Sequence, residues 1–329
     1  MPNILQNTEK TILPENSFSL LVHTLAQPGT KPPEKFEKSE KNTLKKRAIA
    51  KYKTVEIILP LIDLQSDLKK AYWSTFHCCN VLLQDGNKIT GKYCNNRWCI
   101  VCNRIRTAKL INGYLPVIRV EILDPFFVTL TIPNVPGPEL GRSISEMTRT
   151  IIRINHLFRH RKDFRLKGIR KIECVPGKHN DFHPHFHLLV SGELAGRELI
   201  NAWLKNYPDA DKRGQDIRPA DQNSLIELFK YSTKITAELK NNPEALDTIF
   251  KALYKKRVFQ PIGLKKLSVS EDIDGIQAQE IDDLKSAVDA WVWEQEVKDW
   301  LNSSGEFLTE YMPASSMSDQ DTRTKVIMS

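Results

Sequence analysis

The chain has 329 residues, 40% of them apolar and 27% charged, with 48 Lys and Arg against 40 Asp and Glu for a net charge of +8. This composition excludes a wholly disordered chain, and no run reaches the ~18–20 apolar residues that span a bilayer; the longest, Val55–Leu64 and Phe126–Ile132, are strand-sized. The charge is unevenly placed: 14 acidic and four basic residues beyond position 270 make an acidic tail near −10 and leave a body near +18, a balance that points the body toward a polyanion.

The opening MPNILQNTEKTILPENS has no basic stretch followed by an apolar one, so a secretory leader is not expected and a cytoplasmic setting is the default. Residues 1–53 contain KPPEKFEKSEKNTLKKR and read as a basic, disordered arm. Residues 54–115 hold five of the six cysteines, Cys78, Cys79, Cys94, Cys99 and Cys102. In a reducing compartment such clustering favours metal over disulfides. Cys94, Cys99 and Cys102 supply three thiolates of a tetrahedral zinc site; Cys79 is the first choice for the fourth, ahead of Cys78 or His77. Arg97 inside this knuckle and Arg104 and Arg106 just after it are candidate DNA contacts, with Lys230 further on. Cys174 reads as a small core residue.

Residues 116–267 predict an α+β domain. PFFVTLTIPN reads as a buried strand ending in a Pro/Gly turn. Ser143 and Glu146 form a capping box for a helix whose apolar positions are Ile144, Met147, Ile151, Ile154 and Phe158. IRKIECV and HPHFHLLVSG follow as two strands around a PGKHND turn, then helices over Arg197–Tyr207 and about Leu225–Leu239. The run of elements predicts an antiparallel sandwich of sheet and helices.

His185 and His187 stand at i and i+2 on a strand, so both imidazoles share a face while Phe186 turns to the core. Glu173 on the preceding strand falls beside them in a hairpin. Two imidazoles and a carboxylate suit Mn²⁺ or Mg²⁺ and leave positions for substrate oxygens. Glu227, Tyr231 and Lys234 share one helix face at i,i+4 and i,i+3 spacing. A tyrosine of pKa near ~10 needs an ammonium and a metal-polarised phosphate nearby to act as nucleophile.

In order, FFVTLTIPN, FHPHFHLLV and ELFKYSTK resemble the three motifs of plasmid rolling-circle replication initiators, members of the HUH endonuclease superfamily. CNVLLQ…YCNNRWCIVC upstream and KRVFQPIGLKK downstream are also similar to that family, so the likeness covers roughly residues 70–267. It implies a ferredoxin-like or RRM-like antiparallel sheet with helices on one face, a small N-terminal zinc module, and a nicking-joining domain over 116–267. It further implies that Tyr231 cleaves one strand at a double-strand hairpin origin, leaving a 5′-phosphotyrosine and a 3′-OH. Glu227 matches the glutamate that activates water for the terminating cleavage. The partners implied are origin DNA, double- and single-stranded, with host helicase and polymerase and no membrane. Two alternatives remain open at this point: a single-strand transposase of the HUH type, and a non-catalytic zinc-dependent DNA-binding regulator.

Residues 268–329 read as one amphipathic helix carrying Ile281, Leu284, Val288, Trp291 and Trp300, followed by a disordered end. Because the acidic segment lies outside the matched motifs, it is expected to be dispensable for cleavage and to serve protein contacts or autoinhibition.

Overall fold

The apolar run VEIILPLI, strand-sized by length, is helical. Lys51, Val55, Ile58 and Ile62 are buried at steps of four, three and four residues along α1 (Phe36–Asp63), the periodicity of one helix face. The computed structural model describes residues 36–85, 88–160, 165–229, 241–264 and 289–310, all within the compact unit Lys35–Ser329. Helix α1 crosses the boundary expected at residue 53, so the arm read as disordered is helical from Phe36 onward; residues 1–35 lie outside the described residues. After α1 come α2 (Lys69–Phe76), a hairpin of β1 (Val81–Asp85) and β2 (Lys88–Gly91), and the long α3 (Ile100–Glu121).

The middle of the chain then alternates strand and helix: β3 (Pro125–Thr131), β4 (Val135–Pro136), α4 (Gly137–His160), β5 (Gly168–Pro176), β6 (Asp181–Ser191), α5 (Glu193–Asn206), β7 (Asp216–Pro219), α6 (Gln222–Phe229), α7 (Pro243–Leu253) and β8 (Phe259–Ile262). Five of these strands pair in the order β7-β3-β6-β5-β8, every pair antiparallel, with β4 added to β6. The architecture is α+β.

Alternation along the strands divides the side chains between two faces. Val128, Leu130, Ile172, Phe186, Leu188 and Val190 pack with Leu140, Ile144, Met147 and Ile154 of α4, Leu199 and Trp203 of α5 and Leu246 and Ile249 of α7. Phe127, Ile169 and Leu189 on the other face meet Leu110, Ile118 and Ile122 from α3 and its end, together with Leu228 and Phe229 of α6. Helices therefore cover parts of both faces, where one was expected. Helix α4 also begins at Gly137, six residues before the expected capping box, because Pro138 in its first turn gives up an N–H that has no helical partner there.

The acidic tail departs most from expectation. Trp291 and Trp300 lie on strands, β9 (Asp289–Glu294) and β10 (Asp299–Leu301), and not on a helix; Ile281, Leu284 and Val288 fall outside the described residues. Buried Trp291 and Trp293 alternate with exposed neighbours in DAWVWE, the period-two pattern of a half-buried strand. Strand β9 pairs with β1, completing a four-stranded sheet β10-β9-β1-β2. Trp300 donates through Nε1 to the Cys79 carbonyl at 2.8 Å, and Trp291 to Gln84 Oε1 at 2.9 Å. The segment expected to be dispensable is thus built into the cysteine-rich module.

Candidate functional site

Strands β5 and β6 pair in a register that sets Glu173 opposite His185 and Lys171 opposite His187. Glu173 Oε2 lies 3.5 Å from His185 Nε2 and 3.6 Å from His187 Nε2. The three ligand atoms are all within 4.8 Å of one another, close enough to converge on one ion. His185 directs Nδ1 to the His183 carbonyl at 3.2 Å, and His187 directs Nδ1 to Thr129 Oγ1 at 3.3 Å. A carbonyl only accepts, so the His185 proton sits on Nδ1 and leaves the Nε2 lone pair toward the triad, the outer-shell arrangement that orients metal-bound imidazoles. Burial alone would raise the Glu173 pKa, but the facing His185 and His187 rings and the adjoining Lys171 ammonium outweigh it and hold the carboxyl well below its ordinary range. The donor set fits a divalent cation such as Mn²⁺ or Mg²⁺.

Glu227 arrives from α6. Asp221 accepts from the Ser224 N–H at 2.7 Å and starts the helix, as a helix-capping carboxylate does. Glu227 Oε1 then lies 3.6 Å from His187 Nε2, and Oε2 lies 3.8 Å from Arg218. Lys171 is 2% exposed and bridges the site: its ammonium pairs with Glu173 and donates to the Glu227 carbonyl at 2.7 Å. The Arg218 guanidinium sits 4.7 Å above the Phe127 ring, which stacks on His187 at 5.2 Å. Lys171, Thr129 and Arg218 were not singled out by motif. Lys171 was within reach, since the period-two rule that links His185 to His187 equally links Lys171 to Glu173. Tyr231, Lys234 and Lys230 lie outside the described residues.

In the cysteine cluster Cys78, Cys94, Cys99 and Cys102 converge, with sulfurs all within 4.8 Å of one another. Cys78–Cys102 and Cys94–Cys102 separations are both 3.6 Å, near the ~3.8 Å between sulfurs on one tetrahedral zinc. Backbone N–H groups of Cys94, Asn96 and Cys102 donate to Cys78, Cys94 and Cys99. The fourth member is Cys78, which corrects the choice of Cys79. Cys79 has a left-handed φ of 51°, so the chain turns between the two neighbours and they do not share a direction. Lys51, fully buried, donates to the Phe76 carbonyl and Asn80 Oδ1 close by and sets a positive charge near the thiols.

Arg106, expected at the surface, is 2% exposed and spends its guanidinium on Asn103 Oδ1 at 3.0 Å and the Asn95 carbonyl at 2.9 Å, tying the knuckle together. Arg97 is half-buried, and Arg104 is exposed with Nη1 on the Lys46 carbonyl. Cys174 is buried, its thiol pushed up to about 12 by burial.

Residues 87–193 match the family described as replication protein (Rep_1). The matched segment, about a third of the chain, is similar to that replication-protein family. It contains the cysteines from Cys94 to Cys102 and the whole Glu173, His185, His187 triad, and it ends before Glu227. Over a wider span the chain is similar to curated proteins named Protein rep. One from Streptococcus pneumoniae serotype 2 is 26% identical, covering 53% of this chain and 61% of that protein. One from Bacillus sp is 27% identical over 49% of this chain and 63% of that protein. A third, from Bacillus amyloliquefaciens, is 26% identical over 58% and 70%. No solved structure matches the chain. Among the described residues no helix is long and apolar enough to cross a membrane.

Proposed function

We propose that this replication protein is a plasmid replication initiator, a metal-dependent, site-specific nickase of the HUH type that opens one strand at a double-strand origin with Tyr231 as nucleophile. The observation that carries the reading is the convergence of Glu173, His185 and His187 with Glu227, on a helix whose last residue, Phe229, stands two positions before Tyr231 in the sequence. The order of β3, α4, β5, β6, α5 and β7, with strand order β7-β3-β6-β5, supports a ferredoxin-like nicking domain over residues 116–267. The cysteine-rich module of residues 54–115, completed by β9 and β10, would be a zinc module flanking it.

When bound at the triad, a divalent cation would supply Lewis-acid polarisation of the scissile phosphate. The chain's own residues supply the rest. The Tyr231 oxygen attacks phosphorus, the P–O3′ bond breaks, and the protein is left joined to the 5′-phosphate beside a 3′-OH; the phenol loses a proton and the departing oxygen gains one. Lys171 and the Nδ1 contacts hold Glu173 and the imidazoles in place. Lys234 would offset charge on the phosphoryl oxygens, and Glu227, a third exposed at the rim, would take a proton from water in the closing cleavage. Arg97 and Arg104 remain candidate DNA contacts, and a host polymerase would extend the freed 3′ end while a host helicase separates the strands.

A labelled single-stranded origin oligonucleotide incubated with Mn²⁺ tests this. Wild type should form a covalent adduct that EDTA prevents, with the label on the peptide containing Tyr231. Tyr231→Phe should bind but form none; an undiminished adduct in that variant would place the nucleophile elsewhere.

A further inference from the structure

On the α4 face of the large sheet, across from the triad, α4 and β8 line a cavity of about 290 Å³ whose wall includes Asn155, His156, Arg159, Arg170 and Gln260. Arg170 neighbours Lys171 on β5 but points to the opposite face. It is 1% exposed, lies 5.0 Å over the Phe186 ring, and gives Nη2 to Gln260 Oε1 at 2.6 Å. Its buried Nη1 has no hydrogen-bond partner, and among the described residues no carboxylate pairs with it. Burial first, and then the like charge of Arg257, lower the guanidinium to about 10, so it stays cationic at neutral pH. A buried cation with neither counter-charge nor full hydrogen bonding is costly to fold. Asn155 adds a second buried atom without a partner, Oδ1, on the same wall; a half-turn of the amide would present Nδ2 in its place. Exposed Arg159 and His156 bring further donors to the cavity.

We propose that this cavity binds a phosphate group, held by the guanidinium of Arg170 with the Asn155 amide and Arg159 completing its contacts. A phosphate spreads its acceptor oxygens over a tetrahedron and carries more charge than a carboxylate, so it suits two guanidiniums and an amide that converge from different directions. It also brings the negative charge that the wall lacks. The phosphate can come from a small molecule or from a nucleic-acid backbone, and the site is separate from the triad and independent of the nicking chemistry.

The test is a thermal-shift and calorimetric titration of the full chain with inorganic phosphate, against NaCl at equal ionic strength. Expected is a saturable rise in Tm that NaCl does not reproduce. Arg170→Met should abolish it, and Arg159→Gln should weaken the apparent affinity about tenfold, the order of losing one charge-assisted contact. Should Arg170→Met fail to fold, Asn155→Leu serves in its place and should also weaken binding. A short oligonucleotide that displaces inorganic phosphate would assign the site to backbone phosphate, and one that does not would assign it to a small phosphorylated molecule. No saturable shift with phosphate, or an equal shift in Arg170→Met or Asn155→Leu, would overturn the proposal.

Discussion

The cysteine cluster and the Glu173, His185, His187 triad are assembled from opposite materials and to opposite ends. The cluster gathers four thiols from the end of α2, the turn after β2 and the start of α3, enough to fill a tetrahedral shell with protein alone. The triad takes one carboxylate and two imidazoles from a single hairpin, which leaves about three positions of an octahedral ion to other oxygens. A closed shell holds segments together, whereas an open one meets a substrate. The two are also joined: Cys99 caps the start of α3, and the Thr107 hydroxyl of that helix donates to the Phe229 carbonyl at 3.3 Å, so the helix set by the cluster steadies the helix that carries Glu227.

The contrast breaks most sharply if one ligand is taken from each site. On the proposed reading of the cluster as a zinc site, Cys102→Ser should release the metal and with it most of the module's order, since structural zinc contributes on the order of 10 kcal/mol in small zinc domains; zinc content by plasma emission should fall to near zero and far-UV circular dichroism should change. His187→Ala should leave the fold and the zinc in place and lower Mn²⁺ affinity by more than the ~10–100-fold seen on losing an outer-shell partner, read by calorimetry. If Cys102→Ser kept its zinc, or His187→Ala unfolded the chain, the division of labour would be wrong.

A second test aims at the far end of the chain. Trp300 is fully buried, donates to the Cys79 carbonyl and meets Trp293 edge-on at 4.7 Å. Trp300→Ala should cost about 3–5 kcal/mol in urea unfolding, whereas Val292→Ala, exposed on the same strand pair, should stay within about 0.5 kcal/mol. Equal, small effects would mean that β9 and β10 are not part of the module's core.

How legible these regions were follows the range of the contacts that make them. His185, His187 and Glu173 could be read because a strand repeats every two residues and a hairpin is local. The ties of Trp291 to Gln84 and of Trp300 to Cys79 span 207 and 221 residues, and no periodicity links such distant segments; the apolar positions of the tail fitted a helix as well as a strand until a pairing partner decided the matter. Arg106 was read as a DNA contact from its charge, and its burial depends on Asn95 and Asn103 curling around it, which a linear basic run does not disclose. The Gln260 partner and the unmatched Nη1 of Arg170 likewise appear only once β8 is laid beside β5.

A more moderate effect is expected at Lys171. Lys171→Met keeps the length and apolar stem but removes the ammonium that pairs with Glu173 and supports the Glu227 carbonyl. Mn²⁺ affinity should fall about tenfold, as for other outer-shell groups, with the zinc content unchanged. A wild-type titration would show that the triad is positioned by the backbone register alone.

The smallest effect separates two adjacent residues. Cys78 belongs to the cluster, and Cys79, turned away by its φ of 51°, is fully buried without contributing to it. Serine is close in size to cysteine, so Cys79→Ser introduces little more than a hydroxyl in place of a thiol and should cost about 1–2 kcal/mol from burying the more polar group, with one zinc retained. Cys78→Ser makes the same chemical change one position earlier but removes a thiolate ligand, and should release the zinc. The stability change of Cys79→Ser is thus the baseline against which Cys78→Ser is read: equal zinc loss in the two variants would make the twin cysteines interchangeable ligands, and loss in Cys79→Ser alone would exchange their roles.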